Sequence, residues 1–255
     1  MDEETPKGEV RDLWRLERVI PENESVTSIV LSGTDPKMAA RRAGQFAVLR
    51  LPAPGGWSDP HPFTISAAPE DPEVRMTIKR EGAFTASIRD LKPGTAVRLA
   101  GPFGTFCRDI EKKRQAVMIA GGVGITPFLS VLRHLRHVAS PLPVTLFWSN
   151  KTYNDIFAAD ELKELTGLIS LRVVHCLSRE EDVSPYRDGR FPAVSYEAGR
   201  LSARILEAHG VTKEEAVYLC GPPAMMDATL GELASLGIPP AAVEREQFVW
   251  KAKGG

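Results

Sequence analysis

The chain changes its pattern of strands and helices near residue 112, and this change restricts the fold more than any other feature. Before it, short apolar or alternating segments are separated by turns rich in proline and glycine, with one short helix expected over 84–91. Short strands with tight corners are typical of a small antiparallel barrel. We therefore predict a six-stranded antiparallel β-barrel over residues 1–112. Its strands are expected over 13–20, 26–31, 45–51, 63–66, 74–79 and 96–100.

From residue 114 onward, strands alternate with longer helical segments. This alternation predicts parallel βαβ units with right-handed crossovers. We therefore predict a second domain over 113–255, an α/β domain with a parallel sheet, joined to the barrel by the charged stretch 109–114. Its strands are expected over 116–120, 144–148, 171–177, 217–220 and 243–248, and its helices from Pro127 and over 157–165, 199–209 and 223–236.

Charge and cysteine content exclude several classes of protein. The 32 basic and 33 acidic side chains nearly cancel, so the chain lacks the basic surface that nucleic-acid binding requires. The three cysteines, Cys107, Cys176 and Cys220, match no metal-binding spacing, and we expect no metal site. Sparse cysteines and an acidic N-terminus favour the cytoplasm, with a peripheral position at a membrane partner as the alternative.

One run without charged residues, 115–132, reaches the minimum length of a membrane span. Three glycines and Pro127 interrupt its middle, in the sequence IAGGVGITP over 119–127. A strand, a glycine turn and the start of a helix explain this run better, and we expect no transmembrane segment. Glycines at such a turn let the backbone approach a pyrophosphate, and the helix N-terminus offers free N–H groups. Nucleotide binding is favoured over a purely structural turn.

A second segment, HPFTISAAP over 61–69, lies in the barrel half. Phe63 and Thr64 follow each other in an expected strand, so their side chains point to opposite faces. Taken alone, this pattern fits a core phenylalanine and a threonine that hydrogen-bonds at the strand edge. The residues by themselves do not identify a ligand.

Four ordered features together resemble the ferredoxin–NADP reductase superfamily, in particular its ferric-reductase and NADPH-oxidase-like branch. These are the HPFT strand, the GGVGITP turn, the CGPP strand end at 220–223, and the order of barrel before α/β domain. The resemblance implies an FAD-binding barrel and a domain that binds NADP or NAD. It covers essentially the whole chain.

The resemblance also assigns residues to the flavin. It implies that His61 meets the FAD phosphates, that Phe63 lies against the isoalloxazine ring, and that the Thr64 hydroxyl lies beside flavin N5. The GAFT segment, 82–85, corresponds to the family's second flavin signature. The full set expected to bind FAD is His61, Pro62, Phe63, Thr64, Ile78, Lys79, Gly82, Phe84 and Thr85.

For the nicotinamide nucleotide, the resemblance implies contacts from the glycine turn and from several strand ends. Hydride passes directly between nicotinamide and flavin, so the protein aligns the two and needs no general base. The residues expected to act at the reacting rings are Thr64, Cys220, Glu246 and Phe248, with Phe248 as the aromatic cover of the flavin. Those expected to bind the nucleotide are Gly122, Val123, Gly124, Thr126, Pro127, Ser149, Lys151, Ser178, Arg179, Gly221 and Pro222.

The implied function is an FAD-dependent NAD(P)H reductase that delivers single electrons to a separate acceptor. A redox protein, a haem-containing partner or a ferric chelate would each serve as acceptor. The alternatives are a regulatory or electron-transfer subunit without its own turnover, and a flavin-free NAD(P) sensor. Ser178 and Arg179 favour NADPH, because arginine binds a phosphate in a bidentate manner, whereas the segment 150–155 also resembles NADH-using members.

Overall fold

The structure is a computed structural model that describes residues 13–247. Its first half is built on one six-stranded sheet with the strand order β6-β3-β8-β1-β2-β7, in which every neighbouring pair is antiparallel. A bridge between Ile65 and Met76 joins the chain after β6 to β7, so the two edges of the sheet meet. The predicted six-stranded antiparallel barrel is confirmed. Its strands, with the small hairpin β4-β5, are β1 (Leu13–Pro21), β2 (Val26–Ser32), β3 (Phe46–Arg50), β4 (Pro52–Ala53), β5 (Gly56–Trp57), β6 (His61–Thr64), β7 (Val74–Lys79) and β8 (Ala96–Phe103).

Alternate residues of these strands fill the barrel interior. Leu16, Leu49 and Met76 are fully buried, as expected where one face of each strand points inward. The sheet does not run regularly between β3 and β8, because the register shifts between Phe46 and Val48. Phe103, at the end of β8, pairs with Phe46 beside this irregularity and is almost half exposed.

The barrel half contains two short α-helices, so the prediction of a single helix was wrong. Helix α1 (Pro36–Ala39) begins where the Asp35 side chain accepts a hydrogen bond from the Lys37 N–H, with Pro36 in the first turn. Helix α2 (Ala83–Ser87) continues into a 3₁₀ turn, close to the segment predicted as helical. The flavin strand β6 begins two residues earlier than predicted, at His61.

The second half is a six-stranded parallel sheet with helices on both faces, which confirms the predicted α/β domain. The strand order is β12-β11-β10-β9-β13-β14, and every pair is parallel. Two apolar cores, one on each face, bury the sheet. The elements are β9 (Ala116–Gly121), α3 (Thr126–His137), β10 (Val144–Asn150), α4 (Ala159–Thr166), β11 (Leu171–Leu177), β12 (Val194–Ala198), α5 (Ala203–Ala208), β13 (Ala216–Cys220), α6 (Pro223–Ser235) and β14 (Val243–Glu246).

Strand β12 lies at the sheet edge and was not predicted. Its sequence, VSYEA, alternates polar and apolar residues over only five positions. The helix predicted over 199–209 begins later, because Gly199 adopts a positive φ of 94° and Ser202 caps α5 through the Ile205 N–H.

Strand β9 has β10 on one side and β13 on the other, so the chain changes direction across the sheet at β9. In open α/β sheets, ligands bind beyond the carboxyl ends of the strands at such a point. Within residues 13–247, none of the helices has the length and apolar character needed to span a membrane.

Candidate functional site

A cleft of about 500 Å³ lies between the barrel and the carboxyl ends of β9 and β14. It brings together residues predicted from two distant parts of the sequence. From the predicted sites it is lined by His61, Pro62, Phe63, Thr64, Ile78, Lys79, Thr85, Val123, Thr126 and Glu246. Four further lining residues were not predicted: Phe46, Thr77, Glu81 and Gln247.

Strand β6 places Thr64 in the wall of this cleft. Thr64 is 6% exposed and lies directly opposite Phe46 of β3, which also lines the cleft. Phe46 was missed because the pairing of β3 with β6 depends on how the barrel closes, which no local pattern reveals. A hydroxyl beside an aromatic wall fits a flat ring that offers hydrogen-bonding atoms at its edge.

Three aromatic rings stack on the face of β6 opposite to the Thr64 side chain, and two of them, His61 and Phe63, also line the cleft. His61 lies 3.6 Å from Phe84 between ring centroids, and Phe63 lies 6.1 Å from the same ring, with interplanar angles of 20° and 13°. Burial lowers the pKa of His61, although nearby Asp59 acts in the opposite direction. His61 therefore favours the neutral form and would contact a phosphate through a hydrogen bond more than through charge. Its predicted phosphate contact stays a prediction.

The second flavin segment has its own internal bonds. The Thr85 hydroxyl oxygen accepts from the N–H groups of Glu81 and Gly82 at 2.9 and 3.0 Å. Lys79 pairs with Glu81 at 2.9 Å at the surface. The Gly82 N–H is therefore already hydrogen-bonded to Thr85 at the start of helix α2. The predicted pyrophosphate contact of Gly82 stays a prediction.

The glycine turn forms a 3₁₀ segment, Gly122–Ile125, that leads directly into α3 at Thr126. Gly122 has a positive φ of 50° and open space where a side chain would be, so its backbone is accessible. The Trp148 indole N–H donates to the Gly122 carbonyl at 2.9 Å and so fixes the turn to strand β10. A Cβ at Gly124 would lie 2.4 Å from the Cys220 carbonyl oxygen. Gly124 is therefore required for the close approach of this turn to the end of β13.

Cys220 and Glu246 lie side by side at the ends of β13 and β14, in direct register. Burial, with Glu246 nearby, raises the pKa of the Cys220 thiol far above its ordinary value. The thiol therefore stays protonated and does not act as a nucleophile. Cys220 is fully buried and is not among the residues that line the cleft. Burial, and then the neighbouring Glu244, raise the pKa of Glu246.

The ends of β10 and β11 bring together a group of exposed polar side chains away from the cleft. The Arg179 N–H donates to the Lys151 carbonyl at 2.8 Å, and the Ser178 N–H to the Asn150 carbonyl at 3.0 Å. Lys151, Ser178 and Arg179 are exposed. Nearby, Ser149 Oγ and Asn150 Nδ2 are buried atoms with no hydrogen-bond partner within residues 13–247. Buried polar atoms without partners fit a ligand that would supply them.

Phe248 lies outside the described residues, so its predicted place over the flavin stays a prediction.

Gly221 and Pro222 follow β13 beside the glycine turn, and a Cβ at Gly221 would approach Gly121 to 3.1 Å. Among the described residues, no group of three or more His, Cys, Asp or Glu side chains is arranged to hold a metal ion.

Taken together, the residues fit two elongated nucleotide cofactors that meet in one cleft. The barrel offers an aromatic and hydroxyl wall, and the α/β domain offers an accessible glycine turn. The orphaned atoms Ser149 Oγ and Asn150 Nδ2 lie at the end of the strand next to that turn.

Comparison with known proteins gives the same division of the chain. Residues 18–106 match the family model of an FAD-binding domain, and residues 118–230 match that of an oxidoreductase NAD-binding domain. The chain is 30% identical over 240 residues to ferredoxin–NADP reductase B of Sorangium cellulosum, covering 92% of this chain and 96% of that protein.

The chain is also similar to part of a larger protein. It is 30% identical over 236 residues to the reductase component of propane 2-monooxygenase from Mycolicibacterium goodii, covering 90% of this chain. It spans 65% of the length of that relative.

Among solved structures, a ferredoxin NADP⁺ reductase from Neisseria gonorrhoeae with bound FAD and NADP superposes with a TM-score of 0.75. The identity is 19%, and the match covers 93% of this chain and 98% of that one. At this identity, the match establishes the two-domain fold. With the relative from Sorangium cellulosum, which the chain covers almost entirely, the resemblance seen in the sequence is confirmed. The chain belongs to the ferredoxin–NADP reductase superfamily of flavin-dependent reductases.

Proposed function

We propose that this chain is an FAD-dependent NAD(P)H reductase that passes electrons to a separate acceptor. The observation that carries the proposal is the cleft, in which Thr64 of the flavin strand and Thr126 of the glycine turn share one cavity. When bound, FAD accepts a hydride at N5 from nicotinamide C4 and releases the electrons singly. The chain itself supplies binding, alignment and exclusion of water. The domain boundary that we propose lies between residues 112 and 113.

Each side chain of the cleft has a role in this proposal. Thr64 would hydrogen-bond the edge of the flavin, and Phe63 would lie against its ring. Cys220 and Glu246 would face the nicotinamide from the ends of β13 and β14. Burial raises the pKa of both groups, and it keeps the Cys220 thiol protonated.

NADPH is the proposed coenzyme. Two cations, Lys151 and Arg179, are exposed at neighbouring strand ends, where a ribose phosphate would gain charge-assisted hydrogen bonds. Two acids near them already have partners. Glu180 accepts from the Tyr153 N–H at 3.2 Å, and Asp155 accepts from the N–H and hydroxyl of Thr152 at 2.8 and 2.9 Å.

The proposed acceptor is another redox protein. Relatives are named as the reductase component of propane 2-monooxygenase and the electron transfer component of toluate 1,2-dioxygenase, so an oxygenase system is one source of such an acceptor. The chain covers only about two thirds of those relatives. The proposed location is the cytoplasm, because all three cysteines are free and buried.

Reconstitution and turnover test this function. We expect the purified protein to bind FAD stoichiometrically and to reduce ferricyanide, a one-electron acceptor, with NADPH as donor. Protein that binds no FAD, or that binds it and gives no turnover with either NADPH or NADH, would refute the proposal.

A further inference from the structure

Helix α3 connects the functional cleft with the surface between the two domains. Its first residue, Thr126, is 2% exposed and lines the cleft. Its polar residues at i, i+3 and i+4 spacing lie on one face of the helix. That face is turned toward the barrel, and its members are Ser130, Arg133, His134 and His137.

Arg133 is the buried centre of this contact. It is 9% exposed, although it carries a charge. Its Nη1 donates to the Ser66 carbonyl oxygen of the barrel at 2.6 Å. Its Nε and Nη2 donate to the two carboxylate oxygens of Glu161, on α4, at 2.6 and 2.7 Å. One guanidinium thus fixes three elements at once, in a planar geometry that lysine cannot reproduce.

Ser130 adds a second contact one turn earlier on the same helix. Its hydroxyl donates to the Ala67 carbonyl at 2.7 Å and accepts from the Gly44 N–H at 3.4 Å. The consecutive carbonyls of Ser66 and Ala67 are therefore both held by α3. His134 and His137 meet Glu70 and Asp71 closer to the solvent, at 2.7 and 3.4 Å.

These contacts lie close to both walls of the cleft. Ser66 follows Thr64 by two residues, which is about 7 Å along an extended chain. Arg133 follows Thr126 by seven residues, which is about 10 Å along a helix. The flavin strand and the glycine turn are thus joined through a short path that runs through Ser66 and Arg133. The Ser66 hydroxyl also lies 3.0 Å from the hydroxyl of Thr77, which lines the cleft.

The pKa of Glu161 agrees with a charged pair between Arg133 and Glu161. Burial raises the pKa of Glu161, but the hydrogen bond and charge of Arg133, together with the charges of Arg75 and Arg136, outweigh it and lower the pKa overall. The carboxylate is therefore ionised at neutral pH, and the pair is a charged one. Breaking such a pair from one side leaves an uncompensated buried charge.

We propose that Arg133 is a positioning residue for hydride transfer, which holds the flavin strand at a fixed distance from the nucleotide turn through Ser66 and Glu161. This inference rests on the proposed function. Its physical reason is that hydride transfer requires the reacting atoms to lie at about 3–3.5 Å, and a misplacement of about 1 Å can cost about a hundredfold in rate.

The test replaces Arg133 with lysine in the FAD-loaded protein. Arg136→Lys is the matched control, because Arg136 lies one turn further along α3 and is exposed. Rapid mixing with NADPH gives the rate of flavin reduction at saturation and, separately, the Kd for NADPH. We expect Arg133→Lys to lower the saturated rate at least about tenfold. We also expect FAD content and the Kd to stay within twofold, and the primary deuterium isotope effect to be at least as large as in the wild type.

Ser130→Ala is the milder second variant, since it removes the neutral bonds to Ala67 and Gly44 and leaves the Arg133–Glu161 pair in place. We expect its saturated rate of flavin reduction to fall less than that of Arg133→Lys, again with FAD content and the Kd for NADPH within twofold. The inference is overturned if Arg133→Lys reduces its flavin at the wild-type rate, if Arg136→Lys loses as much, or if the loss follows only FAD content or NADPH affinity.

Amide hydrogen exchange gives a readout that does not depend on activity. In the absence of NADPH, amides of the segment 64–68 should exchange faster in Arg133→Lys than in the wild type or in Arg136→Lys. If the wild type itself is not reduced by NADPH or NADH, the proposed function fails. Unchanged exchange in Arg133→Lys would then contradict the positioning role separately.

Discussion

Gly124→Ala is the substitution whose effect the structure determines most directly. The new Cβ would lie 2.4 Å from the Cys220 carbonyl oxygen and 2.7 Å from the carbonyl carbon. Both atoms belong to the backbone at the end of β13, so they cannot rotate away as a flexible side chain could. The glycine turn and the strand end must therefore separate by about 1 Å to restore an ordinary contact of 3.4 Å.

This separation has two consequences. Overpacking of a well-packed site costs about 1–3 kcal/mol in the free energy of unfolding. The same movement displaces the turn from Cys220 and Glu246, so the nucleotide would be misaligned, and a shift of this size lowers the rate of transfer by up to about a hundredfold. We expect both effects in one variant.

Gly231→Ala is the matched control. Gly231 lies inside α6, has open space where its Cβ would be, and shows no positive φ. There the same substitution should stabilise the helix by about 0.5–1 kcal/mol. Urea unfolding followed by circular dichroism measures both variants, and rapid mixing with NADPH measures transfer. A Gly124→Ala protein as stable and as fast as Gly231→Ala would refute the close-approach explanation.

Three further predictions concern the cleft and the domain contact. Thr64→Ala should lower the rate of flavin reduction at saturating NADPH by up to about tenfold with FAD retained, because one hydrogen bond is worth about 1.4 kcal/mol or less; Thr64→Ser should restore it. Arg179→Ala should lower kcat/KM for NADPH by about tenfold or more and leave the value for NADH within twofold; an equal loss with both coenzymes argues against a phosphate contact. The lowered pKa of Glu161 implies a stabilisation that is present above its unfolded pKa, about 4.3, and is lost as pH falls through the folded pKa. Glu161→Gln should therefore lose less stability than the wild type between pH 6 and 3, measured by urea unfolding; parallel curves would exclude this contribution.

The alternation of apolar residues predicted most strands of both domains, and the glycine turn and the HPFT strand predicted two walls of the cleft. Sequence could not predict Phe46, because its position opposite Thr64 depends on the closure of the barrel and not on any neighbouring residue. The burial of Arg133 could not be predicted either, since an arginine on an amphipathic helix ordinarily faces solvent. Only the packing of α3 against Ser66 shows that it is buried.

Some predictions were limited by local chemistry. Strand β12 was missed because a short, half-polar edge strand resembles a loop in its composition. Helix α1 was missed although Asp35 and Pro36 form a recognisable helix start, because the whole helix is only four residues long. The dinucleotide fingerprint GxGxxG has its third glycine where this chain has Pro127. Proline is tolerated there because it occupies the first turn of α3, where a backbone N–H would have no partner within the helix.

Anaerobic rapid mixing of the FAD-loaded protein with NADPH tests the central claim most directly, since it isolates the step for which the cleft is built. We predict that loss of oxidised-flavin absorbance is fast, saturates with NADPH concentration, and slows by a primary isotope effect when the transferred hydrogen is deuterium. A rate no faster than that of free FAD under the same conditions, or one that does not respond to the isotope, would contradict hydride transfer in this cleft.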